Sequence, residues 1–233
     1  MSVRHAVTVA LAVACVAGMA GCAQPEVEAD PPQASAAPPS PTPTPTPSRP
    51  ALADLVLTTE GLGTLVIGQA PPVDPATAMV TFDPVLCVAP EYDIEAGDPL
   101  AGGWAPDPSY AESTFWGDSA FQVYVDGTLR RLEVYGRTIP TSGGLHIGDP
   151  SSAVLVAHPD AQLVISGEIS DVYVVHGTAG DLSIEVTVVP ADMPTYWGDL
   201  ADTVLGLRVT PTGTDPFAVA GGENVIFGCN YTP

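Results

Sequence analysis

The chain has 233 residues, of which 27 are acidic and six are basic, and its formal net charge is -21 at pH 7. Phosphate groups repel such a charge, which excludes nucleic acid as a partner and leaves anionic lipid headgroups without attraction for the protein. All six basic residues are arginine, so chemistries that depend on lysine, such as Schiff-base formation and Ser-Lys catalysis, are excluded as well.

The first 22 residues have the features of an export signal. Arg4 and His5 form a short basic region, residues 6–17 form an apolar run too short to span a bilayer, and small residues precede Cys22. The segment Met-Ala-Gly-Cys at 19–22 resembles the lipobox of bacterial lipoproteins, whose cysteine carries a diacylglycerol with acyl chains such as palmitate. This resemblance implies that Cys22 anchors the mature chain at the extracytoplasmic face of the cell membrane, after residues 1–21 are removed as a signal peptide. The alternative is an ordinary secretory signal in which the cysteine is incidental.

Residues 22–50 predict a disordered tether. They hold almost no side chains that could be packed, and residues 38–47 form a proline-rich run in which threonine alternates with proline. Such a run favours the extended polyproline II form, which would reach up to roughly 80 Å at about 3.1 Å per residue.

Four cysteines occur in the sequence, and two of them remain in the folded part. Cys15 leaves with the signal peptide and Cys22 takes the lipid, so Cys87 and Cys229 are alone in an oxidising compartment. We expect these two to form a disulfide, because two cysteines without neighbouring histidines do not make a zinc site.

The remainder of the chain reads as two copies of one plan. The segment Leu-Val-Ile-Gly at 65–68 is followed by Asp-Pro at 74–75, and Leu-His-Ile-Gly at 145–148 is followed by Asp-Pro at 149–150. An Asp at the N-cap with Pro at the first helical position predicts one short helix in each copy, which a later proline ends.

A second motif supports the duplication. The sequence Phe-Trp-Gly-Asp at 115–118 is echoed by Tyr-Trp-Gly-Asp at 196–199, and alternating apolar residues follow each. We therefore predict repeat 1 over residues 51–140, with an acidic insertion near 87–113, and repeat 2 over 141–233.

Antiparallel sheet is predicted for most of both copies, since apolar residues recur at every second position between turn signals. The fold class expected is α+β, mostly antiparallel β, with the short helix of each repeat packed on an antiparallel sheet; an all-β sandwich is the alternative. The predicted strands include a hairpin around Asp126-Gly127, a pairing of 172–175 with 182–188, a strand at 205–209 and a last strand at 225–229.

The stretch from Arg130 to Asp149, together with Thr-Glu-Gly-Leu-Gly at 59–63, resembles small actinobacterial cell-envelope lipoproteins of unknown function. Its strand, glycine-rich turn and short helix are similar to the repeat of the β-lactamase-inhibitor-protein and SmpA/OmlA-like fold. In that fold the open face of the sheet grips another protein, so the resemblance implies a binding module. The prolines in the helices and the insertion at 87–113 depart from it, and no inhibitor contact residue is carried over.

Catalytic motifs are absent from the sequence: it has no Gly-x-Ser-x-Gly, His-Glu-x-x-His, P-loop or Gly-x-Gly-x-x-Gly. We expect no enzyme activity, no cofactor and no metal. His146, His158 and His176 are expected to be solvated loop residues, with His146 beside Asp149 as a weak pH-sensitive pair. Two acidic clusters could supply the paired carboxylates of a glycosidase, Glu91, Asp93, Glu95 and Asp98 in one loop and Asp199 and Asp202 in another, but exposed acids among Pro and Gly disfavour it. The first loop could also bind calcium weakly, although it lacks the Asp-x-Asp-x-Asp-Gly spacing of a dedicated calcium loop.

The tryptophans give the one positive indication of a binding site. Trp116 and Trp197 are predicted to pack in the core, while Trp104 and Tyr110 lie in the insertion and are expected to contact a partner. The expected function is a non-enzymatic, membrane-anchored binding module for an unknown envelope protein or wall polymer. The alternatives are an inhibitor of a β-lactamase-like enzyme and an unrecognised cell-wall hydrolase.

Overall fold

The computed structural model describes residues 48–90, 93–220 and Cys229. Cys22, the tether up to residue 47 and nearly all of the predicted last strand lie outside these residues. The described strands are β1 Leu57–Thr58, β2 Gly61–Leu62, β3 Leu65–Val66, β4 Val80–Asp83, β5 Gly103–Pro106, β6 Ala111–Thr114, β7 Gly117–Ser119, β8 Phe121–Asp126, β9 Thr128–Val134, β10 Gln162–Ser166, β11 Ser170–His176, β12 Gly180–Thr187 and β13 Val204–Pro211, and the α-helix α1 spans Val154–Ala157.

A six-stranded antiparallel sheet, in the order β10-β11-β12-β13-β9-β8, organises the described part of the chain. The predicted hairpin at Asp126-Gly127 is confirmed: Asp126 pairs with Thr128, and Gly127 takes the positive φ of 65° that the tight turn requires. The predicted pairing of 172–175 with 182–188 and the strand at 205–209 are confirmed by β11, β12 and β13.

One face of this sheet forms the main hydrophobic core. Leu132 lies opposite Val209 and Val134 opposite Leu207, so the alternating apolar residues of adjacent strands point to one side. Residues of the small β1–β2–β3 sheet, including Leu62, cover them from the other side. This single cluster contains residues of both predicted repeats, because strands from both lie side by side in the sheet.

The second face of the sheet carries buried charges. Glu133, Glu185 and Arg208 are each less than a tenth exposed. The chain after β13 folds back over them: the amides of Val219 and Ala220 donate to the two oxygens of Glu185, each at 2.8 Å. These charge-assisted hydrogen bonds hold the segment against the second face of the sheet. From the alternation of polar and apolar residues alone, this face would be expected to contact solvent.

The expectation of one helix packed on a sheet in each repeat is wrong. In the first copy, Asp74 accepts a hydrogen bond from the amide of Ala76, but the chain makes one turn and then enters β4, where hairpin pairing with β5 takes over. In the second copy, a 3-10 turn at Ser151–Ala153 leads into the four-residue α1, and Asp149 accepts from the amide of His146 instead of capping the helix. The described structure is mostly antiparallel β with little helix, which fits the all-β alternative better.

The two copies nevertheless share one local arrangement. Gly68 and Gly148 close the matching tetrapeptides with φ values of 79° and 87°. The amide of Gly68 donates to the carbonyl of Leu129 in β9 at 2.9 Å, and that of Gly148 to Val204 in β13 at 2.8 Å. Each left-handed glycine therefore attaches its tetrapeptide to a strand of the central sheet. The division into repeats at residue 140 stays a prediction.

The disulfide between Cys87 and Cys229 is confirmed, with a Cα–Cα distance of 5.6 Å and a sequence separation of 142. In the described part of the chain, no helix has the length and apolar character that crossing a membrane requires.

Candidate functional site

Trp104 lies on β5, where the pairing of β4 with β5 places it directly opposite Phe82. Their ring centroids are 5.8 Å apart with an interplanar angle of 66°, an edge-to-face contact. Trp104 is half-buried against the main core, whereas Phe82 is 53% exposed. The hairpin thus presents a rigid aromatic pair, of which one ring is anchored and the other faces solvent.

A surface hollow of about 360 Å³ lies beside this pair, and we call it the Trp104 hollow. Val73, which is exposed, and Pro75 line it together with the two rings, so most of its wall is apolar. Two further hollows, of about 240 and 280 Å³, also have Trp104 in their walls. This side chain therefore stands at the meeting point of three surface depressions.

Arg49 and Asp107 supply the charges at the rim of the Trp104 hollow, and they form an ion pair. Asp107 also accepts hydrogen bonds from the hydroxyl and the amide of Ser109, and these bonds, together with Arg49, lower the pKa of its carboxyl from 3.8 to about 2. Because the carboxylate stays ionised, it neutralises the guanidinium and leaves the hollow with little net charge.

Tyr110 is not at the surface, contrary to the expectation that it contacts a partner from a flexible insertion. It is 1% exposed, packs its ring 5.3 Å from that of Phe121, and donates its hydroxyl to the carbonyl of Pro50 at 2.8 Å. Tyr110 is a core residue because it is the last residue of a 3-10 turn, Pro108–Tyr110, that directs it inward. It plays no part in the proposed site.

Trp116 and Trp197, the tryptophans of the repeated aromatic motif, are half-buried. They were expected to pack in the core, but neither belongs to the main core cluster. Phe115 lies edge-on to Trp116 at 4.9 Å and 88°, and Tyr196 lies edge-on to Trp197 at 5.0 Å and 87°. The repeated sequence therefore builds the same aromatic pair twice. In both pairs the outer ring is exposed.

The histidines divide into two kinds. His176 is exposed, with Nδ1 3.1 Å from Asp181 Oδ1, and His146 is half-exposed, with Nδ1 3.7 Å from Asp149 Oδ2. His158 is 6% exposed, so the expectation that it is a solvated loop residue is wrong. It is buried because α1 turns it toward Thr141.

The acidic loop is not assembled into a site in the described residues. Asp93, Glu95 and Asp98 are exposed, and Asp98 accepts the amide of Glu95, while Glu91 lies outside the described residues. Asp199 and Asp202 are exposed as well. The described residues contain no group of three or more His, Cys, Asp or Glu side chains that could hold a metal ion.

Sequence reasoning missed Phe82 and Arg49. The Asp-Pro signal at 74–75 placed Phe82 in a helix, although Val80-Thr81-Phe82 has the β-branched and aromatic composition of a strand. Arg49 lies in the predicted tether, and only the fold brings it beside Asp107.

No protein-family model matches the chain, and the search of curated proteins found no match. A solved structure, that of the uncharacterized protein YfeY from Escherichia coli, aligns with a TM-score of 0.39 and 15% identity, over 66% of this chain and 99% of that chain. The resemblance to actinobacterial envelope lipoproteins and to the inhibitor fold stays a prediction.

Proposed function

We propose that this protein is a non-enzymatic interaction module of the cell envelope, held at the extracytoplasmic face of the membrane by a lipid on Cys22. Its contact surface is the Trp104 hollow, and its partner is an envelope protein that inserts an apolar side chain there. The observation that carries the proposal is the edge-to-face pair of Phe82 and Trp104 in the wall of an apolar surface hollow.

The physical support comes from the wall and the rim. An aromatic ring that is packed on the core loses little entropy on binding, and such anchors dominate the energy of protein interfaces. The Arg49–Asp107 ion pair leaves the rim polar, as the rim of an interface usually is. The volume of about 360 Å³ is enough for a large side chain of a partner.

The test is photo-cross-linking on intact cells, with a photoreactive amino acid in place of Val73, whose side chain is exposed at the hollow. We expect one reproducible protein adduct. Its yield should fall at least about tenfold in Phe82→Ala, which removes an exposed ring that a partner would bury. Val156→Ala, which truncates an exposed side chain on α1, is the matched control and should leave the yield unchanged.

Three outcomes would overturn the proposal. An adduct with glycan and no protein would indicate a wall polymer as the partner, and turnover of purified wall material by the wild-type protein would support the hydrolase alternative. An adduct whose yield is equal in Phe82→Ala and Val156→Ala would show that the hollow does not bind the captured protein.

A further inference from the structure

The two Phe/Tyr-Trp-Gly-Asp segments, residues 115–118 and 196–199, have uncovered outer rings, and we call them the aromatic loops. The first forms the turn between β6 and β7, and the second leads into a 3-10 turn at Gly198–Leu200. Phe115 is 64% exposed and Tyr196 is 48% exposed. Each ring contacts the neighbouring tryptophan edge-on, and this contact restricts its orientation before any ligand arrives. A fixed, exposed ring binds at a low cost in side-chain entropy.

Both aromatic loops lie at the same end of the central sheet. The ring of Trp116 is 6.1 Å from that of Tyr135, which follows β9, and it lines a small cavity with Leu205 of β13. Trp197 donates its indole N–H to the carbonyls of Ile169 and Val188, which flank β11 and β12, at 2.8 and 3.0 Å. Since β12 and β13 are adjacent, the two indoles pack on neighbouring strands.

A carboxylate accompanies each exposed ring. Asp118 follows Phe115 by three residues and Asp199 follows Tyr196 by three, and both carboxylates are exposed. The face of an aromatic ring and a carboxylate both attract a cation, the ring through its quadrupole and the carboxylate through its charge. A lysine or arginine side chain satisfies both at once.

The charge of the whole molecule favours the same kind of ligand. Among the five arginines of the described residues, Arg131 and Arg208 are buried and Arg49 pairs with Asp107. Of these five, Arg130 and Arg137 are the exposed ones that form no such ion pair. The formal net charge of the whole chain is -21, so few positive charges offset the acidic surface. The surface is therefore complementary in charge to a cationic partner, and this field would also accelerate its approach.

We propose that the two aromatic loops form one docking surface for a cationic peptide segment, with lysine or arginine side chains lying over the rings of Phe115 and Tyr196 and pairing with Asp118 and Asp199. This surface shares no residue with the Trp104 hollow, although Asp118 also lines the neighbouring hollow of about 280 Å³ that has Trp104 in its wall.

The probe is a synthetic peptide of alternating arginine and glycine, and its control is the same peptide with citrulline, which keeps the shape of arginine but is neutral. Affinity is measured by calorimetry at physiological ionic strength with the mature, unlipidated chain. We expect the arginine peptide to bind and the citrulline peptide not to bind. The double variant Phe115→Leu/Tyr196→Leu should weaken binding about tenfold, because it removes two exposed cation–π contacts.

Two matched controls separate specific docking from attraction to net charge. Asp126→Asn removes one exposed carboxylate at the opposite end of the sheet and should leave affinity nearly unchanged, whereas Asp118→Asn should weaken binding several-fold. Phe82→Leu removes an exposed ring of the Trp104 hollow and should also leave peptide affinity unchanged. This variant therefore separates peptide binding at the aromatic loops from partner binding at the Trp104 hollow, so that either proposal can fail without the other. Equal losses in Asp118→Asn and Asp126→Asn would overturn the proposal.

A measurement without loop variants gives an independent result. In protein labelled with fluorotryptophan, the arginine peptide should shift the resonances of Trp116 and Trp197 more than that of Trp104, which shares only the hollow beside Asp118. Shifts of Trp104 alone, or of none of the three, would overturn the proposal.

Discussion

Arg208 donates its Nε hydrogen to Glu133 at 2.8 Å, across adjacent strands of the central sheet. Both side chains are almost fully buried, and Arg131 approaches the other oxygen of Glu133 at 3.3 Å. The guanidinium of Arg208 also donates to the carbonyl of Phe217 and lies 3.9 Å from the centre of its ring. Charges on the second face therefore hold the segment that follows β13 against the sheet.

Glu133→Gln should destabilise the fold strongly, because it removes the carboxylate that contacts the buried guanidinium groups of both Arg131 and Arg208. Removing one member of a buried charged group costs roughly 3–5 kcal/mol. Urea unfolding of the variant against wild type measures the effect, and Glu168→Gln, a change of an exposed glutamate, is the matched control. A loss of under about 1 kcal/mol would show that the buried charges are not coupled through Glu133.

The β structure was predictable because strand alternation and turn chemistry are local signals. The Asp126-Gly127 hairpin and the pairing of β11 with β12 follow from them. The helix expected near Asp74 failed because an N-cap starts a helix only when the following residues favour it, and here the strand pairing of Phe82 with Trp104 prevails.

The candidate site was predictable only in part. Trp104 could be singled out as an aromatic residue in a loop-like insertion, but its partner Phe82 lies before the insertion, in the segment that was expected to be helical. Tyr110 carries the same sequence signal and is buried, since exposure is a property of the tertiary fold. The charged second face was equally hidden, because only the return of Val219 and Ala220 across the sheet buries Glu185.

Loss of the disulfide should lower the stability of the protein. The Cys87–Cys229 bond closes a loop of 142 positions in the sequence. In the chain-entropy model a loop of about this length contributes roughly 5 kcal/mol. We expect the double variant Cys87→Ser/Cys229→Ser to unfold at a lower temperature than wild type, as measured by calorimetry.

Reducing agent provides the control for the disulfide. It should lower the melting temperature of wild type and leave that of the double variant unchanged. Each single variant should expose one thiol that reacts with a thiol reagent after unfolding. An unchanged melting temperature in all variants would show that the bond does not contribute to stability.

His158 should make stability depend on pH. Its Nε2 lies 2.7 Å from the hydroxyl of Thr141, which also accepts the amide of Leu145, and a neutral imidazole can accept the hydroxyl hydrogen at this nitrogen. Burial lowers the pKa of His158 below its ordinary value of 6.5, although Asp160 opposes the shift.

Because the unfolded chain binds the His158 proton more readily, this contribution to stability is complete above pH 6.5 and declines as the pH falls toward the lower pKa of the folded state. Urea unfolding at a series of pH values measures the slope. His158→Gln should reduce it, while His176→Gln, a change of an exposed histidine, is the matched control. Identical slopes in wild type and His158→Gln would refute the assignment.

Cys22→Ala should release the protein from the membrane. If the cysteine carries a diacylglycerol, its acyl chains supply the membrane affinity, because the acidic chain has no electrostatic attraction for anionic lipid. Cell fractionation should find wild type in the membrane fraction and the variant in the soluble extracytoplasmic fraction. Cys15→Ala is the matched control, since it lies in the predicted signal peptide and should leave anchoring intact. A Cys22→Ala protein that stays with the membrane would show that something other than a lipid on Cys22 holds it there. Mass spectrometry of the mature amino terminus would then identify the cleavage site.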